Sequence, residues 1–221
     1  MKKISSASDL IKRDRDRVRI FLILFFFSEE CKENHMPNYK KLFETEIKLQ
    51  KLDFWIRNPD YLAYSLLDIA KECSIKKQEI RDIVKKIFRD REPDIRKEEM
   101  RKLLYGAYED LDEVISFLES VDLIRFRSNK NVSLDKVNKR YYITDLGVNK
   151  VESNLEKLPF LKWYEERCCL IKKYFGDKTG TQLKDIQYKV DAYAQASYGE
   201  IIPNISNHVE DKYQKIYGEK L

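Results

Sequence analysis

Apolar residues recur along most of this chain at intervals of three and four, the spacing that gathers them on one face of a helix. Ser8 and Asp9 can cap a first helix running through Phe27, wet in its charged first half and enclosed in its second, "IFLILFFF". Residues 34–38 break the pattern. From 44 to 57, Ile47, Leu52, Trp55 and Ile56 share a helical face; Asn58, Pro59 and Asp60 then end that helix and start another, "YLAYSLLDIAKEC". Ile80, Ile83, Val84, Ile87 and Phe88 define an amphipathic helix over 76–89, which Pro93 closes off, leaving Asp94 to cap its successor. Residues 95–121 keep helical spacing from Met100 through Val121 and read as one long helix, bent near Gly106.

The period then changes. "LIRFR" and "RYYIT" are short β-prone runs joined by the polar "SNKNVSLDKVNK", a hairpin with a long tip. Thr144 and Asp145 offer a cap for "DLGVNKVESNLEKL", Pro159 opens "PFLKWYEERCCLIKKYF" with Gly176 as its stop, and "TQLKDIQYKVDAYAQASYG" reads as one further helix. These elements predict a mainly α protein: an N-terminal helical region (1–75), a core with a β-hairpin (76–158) and a C-terminal helical region (159–221), together one unit.

A helix ending in "FLESVDLIRFR" and passing straight into a hairpin closed by "RYYITDLG" has the order helix, strand, tip, strand. Over about 94–158 it resembles the winged-helix superfamily, which implies a winged-helix core whose hairpin is the wing. The superfamily holds both DNA readers and protein-interaction modules. A helix that reads the major groove needs Arg, Lys, Asn or Gln and must keep carboxylates from the phosphates. Here residues 103–122 carry Glu109, Asp110, Asp112, Glu113, Glu119 and Asp122 with no Lys or Arg. Next to a polyanion those six acids would cost several kcal/mol, on the order of half to one each. Glu109, Asp110, Asp112 and Glu113 are therefore expected to face a protein partner.

The hairpin has the opposite sign, with Arg125, Arg127, Lys130, Lys136, Lys139 and Arg140 against Asp135. Such cations contact phosphates without reading sequence, dock on an acidic partner, remain solvated, or pair with the acidic helix.

Composition sharpens this only a little. With 43% hydrophobic and 12% aromatic residues the chain can bury a core, and few Gly (6) and Pro (5) favour helices over a loop-rich β fold. The net charge of +5 is small and does not by itself name nucleic acid. Eight apolar residues cannot span a bilayer that needs about 20, and no cleavage site follows them, so a membrane span and a signal peptide are not expected. Four Cys in no paired spacing suit a reduced, cytoplasmic protein.

No P-loop, GxGxxG, GxSxG or HExxH is present, so the sequence points away from an enzyme and implies no cofactor. Cys31 and His35 have ligand spacing but lack a second pair, and His208 stands alone. Adjacent Cys168 and Cys169 read as core, as do Trp55, Tyr61, Tyr64, Trp163 and Tyr164 unless several prove exposed together.

"KLQKLDFWIRNPDYLAYSLL" and "TGTQLKDIQYKVDAYAQASYGEII" resemble the small middle subunits of bacterial three-component ATPase defence systems of the Lamassu type. That resemblance implies a noncatalytic subunit bridging a large SMC-like, Rad50-like ATPase and an effector nuclease against phage or plasmid DNA. In such a complex DNA sensing belongs mainly to the ATPase. The alternative reading is a winged-helix transcriptional regulator.

Overall fold

A computed structural model describes residues 7–33, 39–104, 106–130 and 137–221. The chain begins with α1 (Ala7–Phe27), β1 (Glu29–Glu30), β2 (Lys41–Glu44), α2 (Glu46–Arg57) and α3 (Pro59–Glu72). A 3-10 turn leads into α4 (Lys77–Arg89) and α5 (Glu92–Ile95), followed by β3 (Arg101–Leu103), β4 (Gly106–Tyr108) and α6 (Asp112–Ser120). The hairpin strands are β5 (Ile124–Lys130) and β6 (Val137–Ile143), and then come α7 (Asp145–Asn154) and α8 (Pro159–Phe175). Last are α9 (Gly180–Tyr188), α10 (Asp191–Gln195) and α11 (Ser206–Tyr217). The protein is mainly helical with a small antiparallel sheet. Among the described residues no helix is long and apolar enough to cross a membrane.

The contacts group the chain into two compact units, Met1–Leu49 with Asp110–Gly180, and Gln50–Glu109 with Thr181–Leu221. In the first, the strands pair antiparallel in the order β1-β2-β6-β5. Phe43 and Phe126 flank Tyr141 across the pairs β2–β6 and β5–β6, so three rings stack on one face of the sheet. The apolar half of α1 is buried as expected, and α1 packs against α6 and α8.

Helix α6 stops in a Schellman turn. Asp122 takes a left-handed φ of 57°, its N–H donates to the carbonyl of Glu119, and the N–H of Leu123 donates to that of Leu118. Thr144 then ties the base of the hairpin. Its hydroxyl donates to the carbonyl of Asp122 at 2.6 Å and accepts the Gly147 amide at 2.9 Å, capping α7 as the sequence implied. A Cβ on Gly147 would collide with the carbonyl of Leu123, so that residue has to be glycine.

In the second unit α3 packs against α4 and α11 through apolar side chains such as Leu66, Val84 and Val209, and several charged side chains are buried elsewhere in the unit. Arg57 is buried and meets Asp53, Glu98, Glu109 and the carbonyl of Glu99. Asp60 accepts the Ile205 amide at 2.8 Å, and Lys51 donates to the carbonyl of Ala107 at 3.1 Å. The Ala107 amide in turn donates to the Tyr193 hydroxyl at 2.6 Å.

Four expectations are corrected. Residues 95–121 are not one helix: β3 and β4 form a hairpin there before α6 begins. Gly106 has φ +97°, and a Cβ on it would collide with the Tyr193 hydroxyl, a backbone state no helix continues through. Pro93 opens α5 instead of only ending α4, and Asp94 lies inside that helix. Glu44, expected to start the second helix, instead ends β2, and α2 begins at Glu46. The segment expected as one C-terminal helix is broken at Lys189 and Val190 into α9 and α10.

Burial, with Lys184 nearby, pushes the Lys51 amine down to about 8. The folded pKa lies below the unfolded one, so between about pH 8 and 10 the unfolded chain binds more protons and stability rises with pH. Against Lys51→Met, the wild type should gain about 1–3 kcal/mol over that window in urea titrations. Parallel curves for the two proteins would refute it. Thr144→Val should destabilise the fold by about 1–2 kcal/mol in the same measurement.

Candidate interaction surface

Side chains of β6 alternate between the two faces of the sheet, so Lys139 and Arg140 point to opposite sides. Each meets carboxylates. Lys139 lies 2.8 Å from Glu46 and 3.8 Å from Asp112; Arg140 lies 2.7 Å from Glu33 and 3.2 Å from Glu44. Arg125, on the Arg140 face, lies 3.6 Å from Glu119 and 3.3 Å from Asp122 and donates to the Tyr39 hydroxyl. Arg127 sits at 4.0 Å from Glu119. Burial and then a hydrogen bond to Glu33 push the Tyr142 hydroxyl up to about 12. Lys130 ends β5, and Lys136, Asp135 and the hairpin tip lie outside the described residues.

The acidic residues do not form one surface. Glu109 belongs to the second unit and binds Arg57. Asp110 precedes α6 and accepts the Asp112 amide at 2.9 Å, a local turn contact. Asp112 and Glu113 occupy the first turn of α6, where negative charge is favoured by the helix dipole, and both are exposed. Glu119 does two things: it faces Arg125 and Arg127, and its carboxylate accepts the Phe126 amide on the open edge of β5 at 3.2 Å. The carboxylates of residues 103–122 thus serve the hairpin and Arg57 more than an open face.

The surface that the sequence did not point to is apolar. A groove of about 400 Å³ runs in the first unit between α1, α6, α7 and the start of α8. Phe21, Leu22, Leu118, Val151 and Leu161 form its floor and are buried. Its rim leaves Val121 40%, Leu146 42%, Leu158 39% and Phe160 48% exposed, four large apolar side chains around one opening. Its polar lining is Arg17, Lys150 and Asn154. Arg17 is held 2.9 Å from Asp14 with its guanidinium 3.6 Å above the Phe117 ring. Helical spacing places Leu146 and Lys150 on one stripe of α7, but whether such a stripe is covered depends on elements far away in sequence.

The remaining candidates fall elsewhere. Trp55 and Tyr61 are fully buried and Tyr164 nearly so, while Tyr64 in the second unit and Trp163 in the first are half-buried. Cys168 is buried, which pushes its thiol well above the usual range, but Cys169 is exposed, correcting the reading of both as core. Successive helical side chains point about 100° apart, so only one enters the interior. His208 is exposed, and His35 lies outside the described residues. Among the described residues no cluster of three His, Cys, Asp or Glu is placed to hold a metal.

No protein-family model, curated protein or solved structure matches the chain.

If carboxylates restrain the hairpin cations, removing them frees charge for phosphate. Glu33→Gln with Glu119→Gln should bind mixed-sequence duplex DNA several-fold more tightly than the wild type. Its plot of log Kobs against log salt should be steeper by about 1–2. Identical salt slopes for the two proteins would refute the restraint.

Proposed function

We propose that the chain is a noncatalytic interaction subunit, bridging an SMC-like ATPase and an effector nuclease in a bacterial defence complex of the Lamassu type. The resemblance in residues 48–67 and 179–202 supplies the identity of the complex. The observation that carries the interaction role is the apolar groove, because a rim of four large side chains standing open to water is the chemistry of a protein-binding surface. The succession of α6, β5, β6 and α7 supports a winged-helix core. In that reading the module uses the frame of a DNA reader in which three hairpin cations, Arg125, Lys139 and Arg140, face carboxylates of the same unit.

The second reading, a DNA-binding regulator, is favoured by the cations themselves, since Arg127 remains more than half exposed. It predicts salt-sensitive binding to the chain's own promoter, abolished by Lys139→Glu with Arg140→Glu.

Co-expression with the products of the flanking genes tests the first reading. A complex of this chain with a large coiled-coil ATPase, stable through size exclusion at about 150 mM salt, is the expected result. Elution of the chain alone at every salt concentration, together with specific promoter binding, would replace the subunit by the regulator.

A further inference from the structure

The groove between α1, α6, α7 and α8 has a shape and a charge that restrict its occupant. Its walls come from α1, α6, α7 and the start of α8, with Leu123 in the turn before β5, so no strand lines it. An extended peptide would therefore lay unsatisfied amides and carbonyls on an apolar floor, whereas a helix brings its own satisfied backbone and an apolar stripe. Leu146, Lys150 and Asn154 mark one edge at four-residue steps, a length of about 12 Å, or two helical turns. The four rim side chains expose on the order of 300 Å² of apolar surface, far below the roughly 800 Å² per partner of a standard interface between whole proteins. A short segment fits better than a second copy of the chain.

Charge selects further. The groove is lined by two cations and no carboxylate. Arg17 already faces Asp14, but Lys150 is exposed and has no ion-pair partner among the described residues. A partner that places Asp or Glu beside its apolar stripe neutralises Lys150, and one with Lys or Arg there is repelled.

We propose that this groove takes a two- to three-turn amphipathic helix from a partner protein. Its apolar stripe covers Val121, Leu146, Leu158 and Phe160, and its flanking carboxylate pairs with Lys150. The proposal rests on the reading of the chain as an interaction subunit and adds where that interaction occurs and what chemistry it selects.

The test uses the full chain and two labelled helical peptides of about 16 residues, with the same leucine stripe and either Glu or Lys on its flanks. Fluorescence anisotropy should show the Glu peptide binding about 3- to 5-fold more tightly than the Lys peptide. Lys150→Glu should reverse that order, and Phe160→Asp with Val121→Asp should abolish both. Both substituted side chains are about half exposed, and circular dichroism checks that the variant folds. Equal binding of the two peptides overturns the charge assignment. Absence of binding at about 100 µM, or binding indifferent to Phe160→Asp with Val121→Asp, overturns the groove. Displacement of the Glu peptide by palmitate at lower concentration than by unlabelled peptide assigns the groove to an acyl chain and overturns the proposal. Dimerisation lost in Phe160→Asp assigns it to a second copy, with the same consequence. A complex with the flanking gene products that survives Phe160→Asp with Val121→Asp leaves the subunit reading standing and removes only the groove.

Discussion

The hydroxyl of Thr144 is the joint on which the first unit turns. It donates back to the end of the α6 turn and accepts from the first turn of α7, so one side chain fixes the exit of a helix, the base of a hairpin and the entry of the next helix. Asp122 in the left-handed region and the bare Cα of Gly147 make that approach sterically possible. The consequence reaches both candidate surfaces. Strands β5 and β6 leave this joint carrying their cations, and Val121, Leu123 and Leu146 beside it become part of the groove lining.

Once the hairpin is fixed there, its charges need answers on both faces of the sheet. Lys139 finds them in Glu46 and Asp112, Arg140 in Glu33 and Glu44, and Arg125 in Glu119 and Asp122. Each exposed pair contributes little to stability, of order 0–1 kcal/mol. Their effect is on recognition, because a cation already facing a carboxylate gains less from a phosphate. Glu119 adds protection against the wrong partner by occupying the Phe126 amide, which would otherwise invite another strand. The interior of the second unit makes a similar trade. Arg57 and Lys51 are costly to bury, and what they secure is a set of directional contacts to the carbonyl of Glu99 and to β4, which Tyr193 of α10 also holds.

The local signals in the sequence were legible where a residue has one dominant conformational preference. Asn58 before Pro59, Thr144 before Asp145 and Pro159 each stand at a helix start, and the alternation of "RYYIT" became β6. The failures came where distance decided. Met100, Leu103, Ala107 and Leu111 keep helical spacing by composition alone, yet Tyr193, some eighty residues later, accepts the Ala107 amide and demands a residue without Cβ at 106. Short strands such as β2 have no period long enough to register. The acids of 103–122 were visible as a block, but their partners, Arg57 for Glu109 and Lys139 for Asp112, come from other segments, so a block of one sign became a set of separate pairs. Exposure of Val121 or Phe160 could not be read at all, since an apolar residue at helical spacing looks the same whether another element covers it or not.

That last ambiguity bears on what the first unit is for. Burial of Phe21, Leu22, Leu118 and Leu161 shows that α1, α6 and α8 close over most of their apolar surface, so the opening above them is not a failure of packing. At 121, 146, 158 and 160 large apolar side chains keep roughly two fifths to half of their surface in water around one opening, which invites association. In the same unit carboxylates face Arg125, Lys139 and Arg140, whereas Lys150 beside the apolar groove has no ion-pair partner among the described residues. Three hairpin cations thus face carboxylates of their own unit, while the groove offers apolar side chains and a cation at its edge.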